Sequence, residues 1–355
     1  MLRQCVNRAL RKKHVSQRVW ISLPVPICLC PARAPTCGSD PVRLPMLTMT
    51  DRRPTSHSYI SQRLRLHYLD WGNAAAQPLV LVHGAQDHCH AWDWLAEVLA
   101  ETYHVVVPDL RGHGDSSWVQ GSSYHQTDYL YDLDQLITQR ELAPALMISH
   151  SMGGTLASLY AGVFPEQVRA LVIIEGVGLW PGLSGAEQPV QARLAEWIRN
   201  TRQLAGRTPR RYPTAADALR RMQSANPHLS PEQARHLAAS GSQRNEDGSY
   251  SWKYDNYTHA WPALRLREDE LVTLWQRITC PVLILNGTEG YPHRIGQDGT
   301  ERHFRDVEVR AIANAGHWAH HDRFDDVREI VQDFLSRVTQ RQGNRRGGSG
   351  DGWHA

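Results

Sequence analysis

Cysteines and long apolar runs are scarce in this sequence, and each shortage excludes a class of protein. Only six of the 355 residues are cysteine, and four of the six lie before residue 45: Cys5, Cys28, Cys30 and Cys37. The two that remain, Cys89 and Cys280, are too few for a disulfide framework, so the body of the chain suits a reducing compartment. No stretch approaches the ~20 consecutive apolar residues of a membrane-spanning helix, so no integral membrane segment is expected.

Net charge is also small, which argues against nucleic acid as a partner. The chain has 39 basic and 36 acidic residues, a formal net charge of +3. Residues 1–45 hold eight of the basic residues and one acidic residue, Asp40, which leaves 31 basic and 35 acidic residues elsewhere. The excess of positive charge therefore belongs to the first segment, and the remainder is mildly acidic.

The first segment, residues 1–57, is predicted to be a basic extension that does not fold by itself. Ala32-Arg33-Ala34 has the spacing of a secretory cleavage site, and the excess of arginine over acids is also typical of an organelle presequence. A third interpretation is a dispensable extension, with the true start at Met46 or Met49. A cytoplasmic location is expected for the body, with export or organelle targeting left open.

From residue 58 to residue 177, strand-like and helix-like segments alternate. Four short apolar runs, typical of strands buried on both faces, separate the amphipathic stretches: PLVLVHG, HVVVPDL, PALMISH and VRALVIIEG. Strands that alternate with helices form a parallel sheet with right-handed crossovers. The fold class predicted is therefore α/β, with a mostly parallel, doubly wound sheet.

The alternation stops over residues 178–276 and resumes over 277–339. The interrupting segment has helical stretches and several tryptophans but no buried strand, which predicts a helical cap inserted between two strands of the sheet. The alternation resumes with CPVLILNG and DVEVRAIAN and ends in an amphipathic helix. Residues 340–355 are rich in glycine and charge, and a disordered tail is expected there.

Polar residues follow the predicted strands at the edge of the sheet where ligands bind in such folds. They are His83, Asp109, Ser151, Glu175, Glu289 and His317. Asp109 and the neighbouring His113 and Asp115 are expected to brace loops by hydrogen bonding.

Ser151 is the candidate nucleophile, because it lies where a strand turns directly into a helix. Such a turn forces strained backbone angles, which the small flanking residues Ser149 and Gly153 would permit. The start of the helix favours negative charge, and the N–H groups of Met152 and Ala85 are the candidate donors to an oxyanion. A serine hydroxyl needs a base to take its proton, and His317 is suitably placed late in the chain.

Four motifs in this order resemble the α/β-hydrolase family over about residues 58–338. They are HG at 83–84, DLRGHGDS at 109–116, SHSMGG at 149–154 and AGHW at 315–318. The resemblance extends to a capped, esterase-like serine hydrolase branch, and it implies a Ser-acid-His triad. Serine at position 151 argues against the haloalkane dehalogenase and epoxide hydrolase branches, which resemble this chain but have aspartate there.

The sequence departs from the family pattern at the triad acid. The resemblance implies an aspartate in a G-x-x-D pattern after the seventh strand, but here the residues are Gly287-Thr288-Glu289-Gly290. Glu175, at the end of the preceding strand, is the first candidate to replace it. Glu289 is the alternative acid, and a chain with no working acid is the third possibility.

The function expected is hydrolysis of a carboxylic ester or related acyl compound through an acyl-enzyme. Carbon–carbon bond hydrolysis, lactone opening and perhydrolysis use the same triad and stay open. A non-catalytic, hydrolase-like protein that binds a small molecule is the rival from another class, favoured by the missing aspartate. The partner expected is a small ester or acyl substrate, and the oligomeric state is left open.

Neither a cofactor nor a metal is expected. His83, His88 and His90 are close in sequence, but no HExxH or CxxC pattern accompanies them. The glycines of RGHGDS lack the spacing of a dinucleotide-binding loop.

Overall fold

The computed structural model describes residues 52–121, 124–179, 189–260, 262–297 and 299–347. Most of the predicted extension, residues 1–51, lies outside these residues, as do 348–355 of the predicted tail. The first strand begins at Thr55, inside the segment 1–57 that was expected not to fold.

The strands of the described residues form one large sheet and a small ribbon. They are β1 Thr55–Ser61, β2 Leu64–Asp70, β3 Pro78–Val82, β4 His104–Pro108, β5 Ala145–His150, β6 Val168–Ile174, β7 Ser242–Arg244, β8 Tyr250–Trp252, β9 Val282–Gly287 and β10 Val307–Ile312. Eight of these described strands form the sheet, in the order β1-β2-β4-β3-β5-β6-β9-β10. β2 pairs antiparallel with both β1 and β4, and the other pairs are parallel. The predicted mostly parallel α/β sheet is confirmed.

Helices cover both faces of the sheet, as the fully apolar strands require. In the described residues they are α1 Asp93–Leu99, α2 Gln126–Gln139, α3 Met152–Val163, α4 Val190–Ala205, α5 Ala215–Ala225, α6 Pro231–Gly241, α7 Glu268–Arg277, α8 Ala319–Asp322 and α9 Phe324–Gly347. Val80 and Val82 of β3 pack in one apolar cluster with residues of α2, α3 and α7. Leu79 and Leu81 point the other way, into a cluster with α1 and α9. Successive side chains of β3 thus pack against helices on opposite faces, as expected of a doubly wound sheet.

The segment between β6 and β9 contains the cap. It consists of α4, α5, α6 and the β7–β8 ribbon. Thr214 and Ser230 cap α5 and α6 through reciprocal side-chain and backbone hydrogen bonds with Asp217 and Gln233. Such capping boxes fix where short helices begin.

Two boundaries differ from the sequence prediction. The cap was expected to extend to residue 276, but α7 packs against α3 in the layer over the sheet. The Trp275 indole N–H donates to Ser158 Oγ at 3.1 Å, and Arg277 Nε donates to the Gly162 carbonyl at 2.9 Å. The tail was expected to begin at residue 340, but α9 continues to Gly347. An amphipathic helix has the same periodicity in a cap or on a sheet, so the pattern alone does not locate it.

The helices of the described residues include none that is long and apolar enough to cross a membrane.

Candidate active site

Ser151 occupies a strained turn between β5 and α3. Its backbone angles are φ 52° and ψ −119°, a combination that non-glycine residues rarely adopt. The Ser151 N–H donates to the Ile174 carbonyl at 3.0 Å, which anchors the turn to the neighbouring strand. The strain therefore lies at the residue that the sequence marks as the nucleophile.

The small residues beside Ser151 are required by close packing. A Cβ atom at Gly153 would lie 2.5 Å from the carbonyl oxygens of both Val82 and His83, so only glycine fits there. Ser149 is fully buried on β5, and its hydroxyl donates to the Val172 carbonyl at 2.8 Å. The serine at the position of the usual first glycine is thus accommodated, and its one polar group is paired.

His317 lies between Ser151 and Glu175. Its Nε2 is 2.9 Å from Ser151 Oγ, and its Nδ1 is 3.2 Å from Glu175 Oε2. A carboxylate can only accept, so Nδ1 carries the proton and Nε2 is left as the acceptor for the serine hydroxyl. Burial lowers the pKa of His317 to about 4, and Arg294 acts in the same direction. The imidazole is therefore neutral at neutral pH, which is the form that can accept a proton.

Glu175 is fully buried directly after β6, with a positive φ of 53°. Its Oε1 accepts a hydrogen bond from the Gly287 N–H at 2.6 Å and forms an ion pair with the buried Arg294 guanidinium. Burial raises the pKa of Glu175 to about 7, and the positive charge of Arg294 opposes that rise. The ion pair is the strongest influence in the structure that favours the ionised carboxylate.

Glu175 fills the space that an aspartate at position 290 would occupy. Gly290 stands where the family pattern has its acid, and a Cβ atom there would overlap Glu175 Oε2. The glycine at 290 and the glutamate at 175 are therefore sterically complementary. The carboxylate of Glu175, at the end of β6, can occupy this space because position 290 carries no side chain.

Glu289, the alternative acid, pairs with a different histidine. Its side chain is 51% exposed, and its carboxylate is 3.6 Å from Nε2 of His228. The structure thus brings Ser151, His317 and Glu175 together and leaves Glu289 at the surface.

Two further side chains support this arrangement and were not identified from the sequence. His150 is buried beside Ser151, and its Nε2–H donates to the His317 carbonyl at 2.8 Å. Arg294 comes from the loop after β9 and also donates to the Gly287 carbonyl at 2.7 Å. His150 was visible as the residue before the nucleophile, whereas no sequence signal marks Arg294, whose role depends on the path of its loop.

Two cavities meet at Ser151, and Ala85 lines both of them. The larger, of about 450 Å³, is bordered by His88, Arg221 and Asn226 together with other polar and aromatic residues. The smaller, of about 230 Å³, is lined mainly by apolar side chains, among them Tyr129, Leu156, Leu266 and Trp275, and Met152 also borders it. Both candidate oxyanion donors, Ala85 and Met152, therefore border the space in front of the serine.

Trp252 of the cap borders the larger cavity, and Trp275 of α7 borders the smaller one. Trp180 and Trp261, two of the tryptophans in the segment that the sequence predicts as a cap, lie outside the described residues.

Asp109 is buried, and its carboxylate holds several loops together by hydrogen bonds. Its carboxylate accepts hydrogen bonds from His67 Nδ1 at 2.7 Å, from the Cys89 N–H at 2.7 Å and from the Asp115 N–H at 2.9 Å. Burial favours the neutral acid, but these donors outweigh it and hold the pKa of Asp109 well below its usual range.

A second group that joins histidine and aspartate, His90, Asp93 and His236, lies between the core and the cap.

Comparison with known proteins identifies the family. The family model described as the alpha/beta hydrolase fold matches residues 77–324, well over half of the chain. The chain therefore belongs to the α/β-hydrolase family, and the resemblance inferred from its motifs is confirmed.

Several relatives are similar over most of the chain. The sn-1-specific diacylglycerol lipase ABHD11 of Mus musculus is 27% identical over 327 residues, which cover 88% of this chain and 93% of the lipase. Esterase Rv0045c of Mycobacterium tuberculosis is 27% identical over 276 residues, 75% of this chain and 85% of the esterase. The thioesterase domain from the curacin biosynthetic pathway has a TM-score of 0.69 at 24% identity, covering 79% of this chain and 99% of the domain, a likeness of fold alone. Family and relatives together support hydrolase activity of the serine hydrolase or esterase type.

Proposed function

We propose that this chain is a serine hydrolase that cleaves a carboxylic ester through an acyl-enzyme formed on Ser151. The observation that carries the proposal is the unbroken line of hydrogen bonds from Ser151 Oγ through His317 to Glu175, at 2.9 and 3.2 Å. Such a line gives a serine hydroxyl both a base and a group that orients the base.

In the first half-reaction, His317 Nε2 takes the proton of Ser151 as Oγ attacks the ester carbonyl carbon. The C=O electron pair moves to the oxygen, which becomes the oxyanion of a tetrahedral intermediate. His317 then gives its proton to the leaving alkoxide, and the C–O bond breaks to release an alcohol. In the second half-reaction a water replaces the serine as nucleophile, and the products are a carboxylic acid and the free hydroxyl of Ser151.

Glu175 serves as the triad acid in this proposal. Its carboxylate fixes the Nδ1–H tautomer of His317 and stabilises the imidazolium that forms during attack. Arg294 is a positioning residue, because its buried charge opposes protonation of Glu175. Without that charge, burial would leave a larger share of the carboxyl neutral.

The oxyanion is stabilised by the N–H groups of Met152 and Ala85. Met152 is the first residue of α3, where backbone N–H groups lack partners within the helix and the helix dipole favours negative charge. Each such donor contributes about 3–4 kcal/mol to the stability of the transition state.

The two cavities suggest how an ester lies across Ser151. An apolar group of moderate size fits the 230 Å³ cavity, and a more polar part of the substrate fits the cavity bordered by Arg221. The substrate class proposed is thus an ester with one apolar portion and one polar portion on opposite sides of the carbonyl.

A panel of short, medium and aromatic acyl esters, extended to lactones, tests the proposal. The wild-type chain is expected to turn over medium-length esters, and Ser151→Ala should lower kcat by on the order of 10³-fold or more. Ser56→Ala, on β1, is the matched control and should retain activity. If the folded wild type turns over no member of the panel, and the wild type and Ser151→Ala bind the esters equally well, the chain is a non-catalytic binder and not an enzyme.

A further inference from the structure

The three side chains of His90, Asp93 and His236 converge between the core and the cap. His90 lies in a short 3₁₀ turn and Asp93 begins α1, while His236 comes from α6 of the cap. Asp93 Oδ2 is 2.9 Å from His90 Nδ1 and 2.9 Å from His236 Nε2. The Trp94 ring packs edge-on against the imidazole of His236, with centroids 4.7 Å apart, and helps to hold its orientation.

This donor set and its spacing suit a divalent transition metal. Two imidazoles and one carboxylate are common ligands of Zn²⁺, which binds nitrogen and oxygen at about 2.0–2.2 Å. Ligand atoms on a tetrahedral Zn²⁺ are then about 3.3 Å apart, so the 2.9 Å separations need to widen only slightly. The ion would replace the two hydrogen-bonding protons with one shared cation.

Hydrogen bonding alone leaves part of this group unexplained. Asp93 Oδ1 is buried and has no hydrogen-bond partner among the residues that the structure describes. Leaving a buried carboxylate oxygen without a partner is costly, and a cation bound to the same carboxylate would compensate for it. The three side chains are also 29%, 18% and 33% exposed, so an ion can enter and a water can complete its coordination.

We propose that His90, Asp93 and His236 form a zinc-binding site that ties the cap to the core, separate from Ser151. The group of His67, Cys89 and Asp109 differs from it, because backbone N–H groups already occupy both oxygens of Asp109. Of these two groups, the core–cap group is the one that combines an accessible position with a carboxylate oxygen that has no hydrogen-bond partner among the described residues.

The position of this site gives the ion a structural consequence. α6 also lies against the core where His88 Nε2 donates to the Leu237 carbonyl at 3.2 Å, and His88 and Leu237 both border the larger cavity. An ion on His236 would hold α6 in this place, so the wall of the larger cavity becomes more rigid when zinc is bound.

Calorimetric titration of the full-length, EDTA-treated chain with zinc chloride tests the site, together with thermal unfolding. Zinc should raise the Tm of the wild type. His236→Ala and Asp93→Asn should each lose one bound ion per chain or weaken its binding at least ~10-fold, and both should lose the rise in Tm. His57→Ala, which removes an exposed histidine on β1, is the control and should behave as the wild type.

Cobalt substitution distinguishes metal bound at this site from metal bound by cysteine thiolates, since the variants keep all the cysteines. A site of two histidines and one aspartate adds visible d–d absorption without a thiolate charge-transfer band, and this absorption should disappear in both variants while far-UV circular dichroism is unchanged. The proposal is overturned if the folded variants bind as much zinc as the wild type, or if the wild type shows neither the cobalt band nor a zinc-dependent Tm. Loss of ester turnover in Ser151→Ala is independent of either result, so the two proposals fail separately.

Discussion

At the scale of single residues, the carboxylate beside His317 comes from the end of β6, whereas the family pattern has it after β9. Gly290 makes this possible, because any side chain there would collide with Glu175. The loop after β9, in which the family pattern has the acid, here supplies the positive charge of Arg294 instead. The exchange keeps one carboxylate at the histidine and changes only the strand that carries it.

Substitution of the two candidate acids distinguishes their roles. Glu175→Gln should lower kcat by about 10²- to 10⁴-fold, because an amide neither fixes the tautomer of His317 nor stabilises its positive charge. Glu289→Gln should change kcat by no more than about two-fold, since that side chain is half exposed and its carboxylate faces His228, whereas His317 Nδ1 is paired with Glu175. Steady-state kinetics on one ester checks both, and the reverse ranking would assign the role to Glu289.

Removal of the buried positive charge should move the acid limb of the pH–rate profile. Arg294 lowers the pKa of both Glu175 and His317, and activity needs Glu175 ionised and His317 neutral. In Arg294→Met both pKa values rise, so the pH below which kcat/KM falls should increase by about one to three units.

Arg302→Met, an exposed position nearby in the chain, is the control for that profile and should keep the wild-type limb. Because an unpaired buried carboxylate also destabilises the fold, Tm is measured alongside. An unchanged acid limb in folded Arg294→Met would show that the ion pair does not govern the ionisation of the site.

At the scale of elements, the strands and helices around the site could be predicted because their patterns are strong. The continuous apolar runs of β3 to β6 indicate buried strands, and the residues after them fall at one edge of a parallel sheet. That reasoning is why Ser151, Glu175 and His317 could be named from the sequence as neighbours.

Other elements gave weaker patterns, for physical reasons. β1 was missed because it is an edge strand with mainly exposed, polar residues, and it pairs with β2 alone. α7 was assigned to the cap because Trp275 and Leu271 mark an apolar face without saying what covers it. Arg294 could not be found, because the loop that carries it is shaped by packing and not by periodicity.

The smaller cavity should set which acyl or alcohol groups are accepted. Leu266 lines this cavity, and Leu266→Trp should reduce kcat/KM for medium and long esters while changing that for acetates little. Leu264→Trp, two residues away at a side chain that is 67% exposed, should leave the chain-length preference unchanged. Equal effects of both variants on all esters would mean that the cavity does not hold the apolar group.

At the scale of the whole molecule, the first described strand, β1, lies after the basic segment of residues 1–45. The sheet starts at Thr55, and the family model matches from residue 77. Deleting residues 1–45 should therefore leave Tm and kcat/KM close to those of the full chain. A collapse in soluble yield or a large fall in Tm would show that the extension contributes to the folded body.

The proposed activity depends above all on Ser151 as the nucleophile, activated by His317. Its most direct test is to treat the full-length chain with a fluorophosphonate and to map the adduct by peptide mass spectrometry. One adduct is expected, on the peptide that contains Ser151, and His317→Ala should slow the reaction by orders of magnitude. A folded wild-type chain that forms no adduct, or forms it on another residue, would show that Ser151 is not the nucleophile.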